Sequence, residues 1–476
     1  MANTVTSKQI TKTKGHTKDY FFESVLIDSK PRFLTFDKST KQISILESIE
    51  NEDNVIIPLK EFQCGYRPYS FSQSEIDNLL NIEITKEELL EAIKKLVDKY
   101  IVADDIAKYL IQIDIMLSYC QEWITTLHFP YSVGDTESGK STILHLASWI
   151  CYRCHLGEDI PMADIYNFLG KDEEACGTIA EDEAQGLDPH DEKMRMYKSS
   201  YSKGSTKARI LGADTSGKQQ VFYKTFCPKW FAGEKISNDK GFVERLAVIH
   251  MISGVPKSNI KRPSKEEINE LNKIRNKLLV WKLQNIETKF SSIDSNFKNR
   301  DAELWDDFLC VAHGTKYSEK AKQVAESYVT QRQDGIRNSF EARLFKIILT
   351  CLDNDLEVKA LTLWSKITNN NLELSGTLDE KTTKTYYPDE FSVKLTLNSL
   401  SRILEHTFHS KKKIRNIKNG TKWNKVTSYS FTKEIINAFV YKYGIKLEPN
   451  MCVYSGSSGQ GGQMIMQSDH FDNVDN

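Results

Sequence analysis

The sequence predicts an α/β protein, in which a core of parallel strands covered by helices lies between a small N-terminal α+β region and a C-terminal module of helices and a hairpin. Three observations predict this fold. Residues 126–255 alternate strand-like and helix-like segments, which is typical of a mostly parallel sheet. A glycine-rich loop separates the first of these strands from the first helix. Residues 340–445 contain helix-like segments that precede a basic hairpin.

Length and hydrophobic periodicity divide the chain into seven segments. At 476 residues the chain is long enough for about three domains. Short apolar runs broken by turn residues indicate strands, and apolar residues at helical spacing indicate helices. The predicted segments are a disordered leader (1–20), a small β-rich region (21–74), a helical lead-in (75–125), the α/β core (126–255), a helical linker (256–339), the C-terminal module (340–445) and a disordered tail (446–476).

Composition narrows the classes of protein. The formal net charge is −1, so binding to a polyanion requires a local basic face. The chain has neither a signal-peptide pattern nor an uncharged apolar run of about 18 residues, which predicts a cytoplasmic protein. The nine cysteines are irregularly spaced and indicate reduced thiols. Cys151, Cys154 and His155 match a haem or zinc pattern, but no second ligand pair completes it, so packing within a helix is the preferred interpretation.

A phosphate-binding pattern stands at the start of the core. Residues 134–141, GDTESGKS, match G-x-x-x-x-G-K-[ST] at every fixed position, and we call residues 134–139 the glycine loop. A predicted strand precedes the loop and a predicted helix follows it, as phosphate binding requires. Lys140 is expected to neutralise the β- and γ-phosphates of ATP, and Ser141 to ligate Mg²⁺. The expected nucleotide contacts are Gly134, Asp135, Thr136, Glu137, Ser138, Gly139, Lys140, Ser141 and Thr142. A glycine-rich turn that merely opens a helix is the alternative.

Two further elements complete a hydrolytic site. Hydrolysis requires an acidic residue for the metal and a group that orients the attacking water. In CGTIAEDEAQG, about 40 residues after the loop, Asp182 is the candidate Mg²⁺ ligand and Glu183 the candidate base, with Glu181 as a third carboxylate; a solvated acidic face is the alternative. Arg245 precedes the fifth strand of the core and is a candidate arginine finger for a neighbouring subunit, or else a solvated strand-edge residue.

The order of these motifs resembles that of the AAA+-like P-loop ATPases of superfamily 3 helicases, found in replication proteins of plasmids, viruses and integrated elements. The resemblance covers about 120–255 well and 80–440 loosely. It implies a ring, possibly a hexamer, with nucleotide between subunits and single-stranded DNA gripped in a central channel, here by Lys203, Lys207 and Arg209. The family usually ends its fourth strand with a polar sensor residue, often Asn; here Glu234 or Ser237 must serve.

The C-terminal module is predicted to be a winged helix. Between His409 and Lys425 there is no acidic residue, and Asn419-Gly420 favours a tight turn. Such a hairpin suits a phosphate backbone and base stacking, although lysines also protect strand edges. The preceding helix presents Asn398, Ser399, Arg402 and His406 to a major groove. The expected DNA contacts are Arg402, Lys411, Lys412, Lys413, Arg415, Lys418, Lys422, Trp423 and Lys425.

Three functions are consistent with the sequence. An ATP-driven DNA helicase or translocase of a mobile-element replication module should hydrolyse ATP faster with single-stranded DNA. An ATP-switched DNA-binding initiator or regulator should bind ATP tightly and hydrolyse it slowly. An ATP-dependent protein remodeller should respond to unfolded polypeptide instead of DNA.

Overall fold

The fold is that of a computed structural model of the whole chain. It describes two compact units, Met1–Thr330 and Gln331–Asn476. The residues outside the description are 1–7, 52–53, 60–64, 171–176, 189, 215–216, 289, 291–292, 294, 355, 369–376, 379–385, 388–394, 420–421 and 446–476, and only the backbone is described for 210–214, 217–219, 368, 377–378, 386–387, 417, 419 and 422–424.

The first unit begins with two small sheets. Their strands are β1 (Lys8–Lys12), β2 (Lys14–His16), β3 (Tyr20–Ile27), β4 (Lys30–Asp37), β5 (Ile43–Leu46), β6 (Ile49–Asn51), β7 (Asn54–Pro58) and β8 (Ser70–Phe71). One sheet has the order β1-β7-β6, and the other β2-β3-β4-β5 with β8 beside β3. The predicted disordered leader is therefore wrong for residues 8–20. Polar β1 is ordered by its parallel pairing with β7, because the bonds between strands join backbone groups and need no apolar run.

Three helices, α1 (Gln73–Leu80), α2 (Lys86–Tyr100) and α3 (Asp105–Leu117), occupy most of the segment 75–125, whereas residues 118–125 are not helical. Each helix has an N-cap residue whose side chain accepts a hydrogen bond from a backbone N–H of the first turn. The N-cap residues are Ser72, Thr85 and Asp104 respectively. Such caps satisfy N–H groups that have no partner within the helix.

The core is a five-stranded parallel sheet, as the alternating pattern predicts. Its strand order is β10-β11-β14-β9-β15, so the strand before the glycine loop lies between the fourth and fifth strands. The carboxyl ends of all five lie at one edge. The core elements are β9 (Phe129–Val133), α4 (Lys140–Ile150), β10 (Cys154–Glu158), α5 (Met162–Leu169), β11 (Thr178–Asp182), α6 (Glu192–Ser199), β12 (Thr206–Asp214), β13 (Gly217–Lys224), β14 (Lys229–Gly233), α7 (Lys240–Val243) and β15 (Leu246–His250).

The helix after the glycine loop is shorter than predicted. It ends at Ile150, because Cys151 already has an extended backbone (ψ 152°). Arg153 then adopts a positive φ of 43° before Cys154 begins β10. Both cysteines are buried, and burial raises the pKa of the Cys151 thiol well above its usual range. No group of three metal-ligating side chains occurs among the described residues.

The predicted linker is instead part of the core. Its helices are α8 (Lys265–Gln284), α9 (Arg300–Ala312) and α10 (Ser318–Arg337). One apolar core runs from Val25 to Val329, so residues 21–330 are not separate domains. Helix α8 is fixed from both sides, since its buried Asn276 donates to Ser70 O (2.7 Å) and its apolar residues pack in the same core. Because charged residues recur along α8, the sequence predicts a linker helix, whereas one side of the helix is buried.

The second unit has its own core around Phe345, Leu404, Phe408 and Phe439. Val358 forms an isolated antiparallel bridge with Tyr429, so a third short segment lies beside the long hairpin. The predicted tail and Gly420 of the predicted turn lie outside the described residues. Among the described residues, no helix has the length and apolarity to cross a membrane. The elements are α11 (Phe340–Asp353), α12 (Ala360–Thr368), β16 (Thr377–Leu378), β17 (Tyr386–Tyr387), α13 (Leu397–Arg402), a π-helical turn (Ile403–Thr407), β18 (Lys411–Asn419), β19 (Lys422–Ser430) and α14 (Lys433–Tyr443).

Candidate active site

The glycine loop joins β9 to α4, which confirms the predicted order of strand, loop and helix. Gly139 precedes α4 with φ 89°, a conformation that favours glycine. At Gly134, a Cβ atom would lie 2.7 Å from Ser138 Oγ and 2.9 Å from Met251 O. Close approaches at Gly134 and a positive φ at Gly139 therefore explain why the pattern carries glycine at both ends of the loop.

The Lys140 ammonium group and the Ser138 hydroxyl have no anionic partner among the described residues. Lys140 Nζ donates to the carbonyls of Gly134 (2.6 Å) and Asp135 (2.7 Å), so the ammonium group lies over the loop itself. Ser138 Oγ is buried and makes no hydrogen bond within the described part of the chain. A cation held only by carbonyls, an unsatisfied hydroxyl and a helix N-terminus fit a phosphate group.

The acidic pair, Asp182 and Glu183, lies at the same edge of the sheet. Asp182 is the last residue of β11, and Glu183 follows it with φ 59°. Pairing of Glu181 with Phe231, and of Phe231 with Tyr131, sets β11 level with β9. Two strand spacings separate them, which is about 10 Å. Burial raises the pKa of Tyr131, and the charges of Glu183 and Asp182 raise it further, which is consistent with this proximity.

The third carboxylate, Glu181, has a different environment. It is 1% exposed, and its two oxygens contact Lys193 Nζ and the Tyr197 hydroxyl of α6. Because side chains alternate along a strand, Glu181 and Asp182 point to opposite faces of the sheet. Burial raises the pKa of Glu181, although Lys193 and Tyr197 oppose that effect. Glu181 is therefore engaged within the fold, on the face of β11 opposite to Asp182.

A hydrogen-bond network links the glycine loop to the acidic pair. Thr136 Oγ1 donates to Glu234 Oε1 (3.2 Å), and Glu234 N donates to Gln185 Oε1 (3.1 Å). Gln185 Nε2 in turn donates to Glu183 Oε2. Sequence reasoning missed Gln185, whose only signal is its position two residues after Glu183. Of the two candidate sensor residues, Glu234 contacts the loop, whereas Ser237 Oγ accepts from Asp239 N (3.2 Å).

Arg245 lies at the opposite end of the sheet from the glycine loop. Phe129 N, at the start of β9, donates to Arg245 O (2.8 Å), so the length of β9, about 13 Å, separates Arg245 from the loop of its own chain. Its guanidinium lies 4.5 Å from the centre of the Tyr201 ring, and that of Arg300 lies 4.7 Å from it. Burial and Arg300 lower the pKa of Arg245.

The basic segment that the resemblance assigned to DNA forms part of the hairpin β12–β13. Lys203 Nζ donates to Glu122 O (2.9 Å), and the Arg209 guanidinium lies 4.7 Å from the centre of the Tyr166 ring. Lys207 pairs with buried Tyr223, on the face that packs towards α5. The opposite face carries Phe222, which is 55% exposed and was not singled out in the sequence.

The second unit presents a polar stripe and a basic strand. Asn398, Arg402 and His406 are exposed at intervals of four residues, whereas Ser399 is engaged in the capping box of α13. All of 411–416 is exposed, including Lys411, Lys412, Lys413 and Arg415. Lys412 Nζ lies 2.7 Å from Glu405 and Arg415 3.9 Å from Glu357. Lys418 and Lys425 are also exposed, and the side chains of Lys422 and Trp423 lie outside the described residues.

No protein-family model matches the chain, and no curated protein matches it significantly. Among solved structures, the chain is similar to the C-terminal region of NrS-1, with 12% identity, a TM-score of 0.32 and coverage of 86% of this chain and 95% of that one. It is also similar to the active helicase Cch of SCCmec type IV, with 11% identity, a TM-score of 0.37 and coverage of 92% and 81%. A third similar structure is JCV helicase, with 12% identity, a TM-score of 0.22 and coverage of 56% and 74%. Because these TM-scores are low, a function for the chain has to be inferred from the geometry of its site.

Proposed function

We propose that this chain is an ATP-hydrolysing DNA helicase or translocase of a mobile-element replication module that acts as a ring. One observation carries the proposal: the glycine loop with Lys140, and the acidic pair, lie at one edge of a parallel sheet with one strand between them. That edge, where the strand order changes direction, is where α/β sheets bind ligands. A cation and two carboxylates at this spacing suit a metal-bound triphosphate.

The glycine loop supplies the phosphate cradle in this proposal. Backbone N–H groups of the loop and the N-terminus of α4 donate to phosphate oxygens. When nucleotide binds, the Lys140 ammonium group gives up its hydrogen bonds to the carbonyls of Gly134 (2.6 Å) and Asp135 (2.7 Å) and donates to the phosphates instead. A charged phosphate is a stronger acceptor for an ammonium group than a carbonyl. The buried Ser138 hydroxyl gains an acceptor at the same time. Binding therefore repairs two poorly satisfied groups without a large change of fold.

Ser141 and Asp182 are the residues that would hold Mg²⁺, whose chemical contribution is to neutralise charge on the β- and γ-phosphates. Glu183 accepts a proton from the attacking water and orients it. Its own carboxylate is oriented by Gln185, which also contacts Glu234 N. The network thus connects the loop that senses the triphosphate with the carboxylate that uses it.

Arg245 completes the site of a neighbouring subunit in the proposed ring. It lies beside the start of β9, about 13 Å from the glycine loop that follows this strand, which is too far to serve the site of its own chain. Its position at the end of the sheet suits an interface with a neighbouring subunit. A guanidinium there would stabilise charge that develops on the departing phosphate. Nucleotide would then sit between subunits, and hydrolysis would require assembly.

Two surfaces are proposed to contact DNA. On β12–β13, exposed Phe222 and its face neighbour Lys224 suit stacking on a base and contact with a phosphate of single-stranded DNA, with Lys203, Lys207 and Arg209 supporting the base of the hairpin. In the second unit, three helices followed by a basic hairpin form the proposed winged helix. There Asn398, Arg402 and His406 face a duplex groove while β18 follows the phosphate backbone.

The hairpin β18–β19 is the wing of the proposed winged helix. We expect neutralisation of two of its lysines to weaken DNA binding and to reduce the salt dependence of that binding. Lys411 and Lys413 are exposed on β18, and each phosphate contact that is lost should reduce the slope of log K against log salt by about 0.7–0.9. The measurement is DNA affinity of the full chain at several salt concentrations for Lys411→Gln with Lys413→Gln. Lys346→Gln, an exposed lysine of α11, is the matched control. A double variant with an unchanged slope would remove the wing from the proposed DNA interface.

The experiment that tests the proposed function is ATP turnover with and without single-stranded DNA, made on mixtures of variants. Lys140→Ala and Arg245→Ala should each be inactive, while their mixture should regain activity because some interfaces combine an intact Lys140 with an intact Arg245. Lys140→Ala mixed with Glu183→Gln is the control, since both residues belong to one subunit's half-site and no interface is restored. Turnover that ignores DNA, or mixtures without complementation, would contradict a DNA-stimulated ring.

An ATP-switched DNA-binding protein with slow hydrolysis is the second candidate. Glu234 favours it, because a carboxylate within hydrogen-bond distance of Thr136 places negative charge beside the proposed phosphate site. Unlike the usual Asn, a carboxylate there cannot donate a hydrogen bond to the γ-phosphate as charge develops, so turnover would be slow while the glycine loop still holds the nucleotide. Glu234→Asn distinguishes the two: faster turnover supports a switch restrained by this carboxylate, and unchanged or slower turnover supports the motor.

A further inference from the structure

We propose that α6 couples hairpin β12–β13 to the acidic pair, and that Lys193 and Tyr197 are the positioning residues of this coupling. The inference rests on the proposed function, since it assumes that the hairpin contacts DNA and that Asp182 and Glu183 act in hydrolysis. Helix α6 lies between these elements in the chain. The geometry shows that it is attached to both through side chains as well.

The attachment of α6 to the acidic strand runs through Glu181. Lys193 and Tyr197, one turn apart on α6, are 7% and 0% exposed, and they contact separate oxygens of the Glu181 carboxylate. The Tyr197 ring also packs on Phe231 of β14, with 5.1 Å between ring centres. Glu181 immediately precedes the acidic pair, so a shift of its carboxylate turns the end of β11 that carries both residues.

The attachment of α6 to the hairpin is made at both of its ends. At the C-terminal end, Ser205 Oγ donates to Ser199 O, and Thr225 N donates to Ser205 O (2.9 Å), which ties both hairpin strands to α6. At the N-terminal end, Glu192 accepts from the Tyr166 hydroxyl (2.7 Å). The Tyr166 ring in turn packs on Tyr223 of β13, with 4.7 Å between ring centres.

A third attachment leads towards Arg245. Lys198 Nζ of α6 lies 2.7 Å from Asp239 Oδ2, and Asp239 caps α7 by accepting from Phe242 N (2.8 Å). Tyr201, two residues beyond α6, carries the Arg245 guanidinium over its ring. Thus one short helix contacts the hairpin, the strand of the acidic pair and the segment that precedes Arg245.

We expect coupling because one face of α6 is closely packed. Its Met194, Met196 and Tyr197 are fully buried, and closely packed elements move as units between discrete arrangements. A displacement of the hairpin base by DNA therefore moves Lys193 and Tyr197 against Glu181. If DNA changes the affinity for nucleotide by some factor, linkage requires that nucleotide bound at the acidic pair change the DNA affinity of the hairpin by the same factor.

The test is Tyr197→Phe, which keeps the ring on Phe231 and removes only the hydroxyl bound to Glu181. We measure ATP turnover of the full chain with and without single-stranded DNA, and DNA affinity with and without a non-hydrolysable ATP analogue. We expect basal turnover and KM for ATP to stay near wild type, while the stimulation of kcat by DNA and the gain in DNA affinity from nucleotide both fall about fivefold or more.

Tyr69→Phe is the matched control, because it also removes a buried tyrosine hydroxyl, one that donates to Tyr119 (3.2 Å) far along the chain from α6. Should Tyr197→Phe fail to fold, Tyr166→Phe cuts the other attachment at Glu192 and is expected to reduce the same ratios. Stimulation equal to wild type in a folded variant overturns the coupling alone. A wild type without DNA-stimulated turnover overturns the proposed function, and the coupling with it.

Discussion

Lys140→Ala should abolish ATP hydrolysis and weaken nucleotide binding. Lys140 is the first residue of α4 and is half-buried. Its ammonium group is the only cation in the described segment 134–142, where the phosphates are proposed to bind. Loss of a charge-assisted hydrogen bond should weaken ATP binding about 10- to 100-fold, and loss of transition-state stabilisation should lower kcat about 100- to 1000-fold. The measurements are ATP titration and steady-state turnover.

The control for this variant is Lys257→Ala, an exposed lysine in the loop after β15. Its removal changes the net charge equally without touching the glycine loop. The fold should survive Lys140→Ala, because that lysine bonds only to exposed or half-buried carbonyls of its own loop. Wild-type turnover in Lys140→Ala would contradict a phosphate role for the loop.

Glu183→Gln should separate binding from hydrolysis. The amide keeps the size of the side chain and its contact with Gln185 but cannot accept a proton from water, so kcat should fall about 100- to 10,000-fold. Affinity for ATP should stay within about twofold, since Glu183 is exposed and holds no phosphate in the proposed mechanism. Single-turnover hydrolysis and ATP titration measure the two quantities.

Glu158→Gln is the matched control for Glu183. Glu158 ends β10, the strand beside β11, and is paired in register with Asp182, so it lies at the same edge but one strand farther from the glycine loop. Its amide variant should hydrolyse ATP at the wild-type rate. If both variants lose turnover equally, the loss comes from the reduced negative charge at this edge of the sheet, and Glu183 is not a specific base.

The parts that could be predicted from the sequence are those fixed by local chemistry. The glycine loop and its flanking elements follow from residues whose backbone demands are specific, as the close approaches at Gly134 show. The alternating core follows from apolar periodicity. The helices and hairpin of the second unit follow in the same way, because α11, β18 and β19 lie where the pattern indicates.

The parts that could not be predicted depend on long-range partners. Strand β1 is polar and is ordered by its pairing with β7, in which Asn54 lies opposite Lys8. Helix α8 looks solvated because of its charges, yet buried Arg275 donates to Arg67 O (2.5 Å). Glu181 cannot be distinguished from its two acidic neighbours until Lys193 and Tyr197 are seen against it. In each case a remote segment supplies the partner, and one sequence does not reveal it.

The most direct test of the central claim is equilibrium binding of ATP, with and without Mg²⁺, to the wild type and to Asp182→Asn. If the glycine loop and the acidic pair hold one metal-bound triphosphate, the wild type binds with a Kd below about 1 mM, Mg²⁺ strengthens that binding, and Asp182→Asn loses the metal-dependent part alone. A wild type that retains no ATP at millimolar concentration, or binding that responds to neither Mg²⁺ nor Asp182, would contradict it.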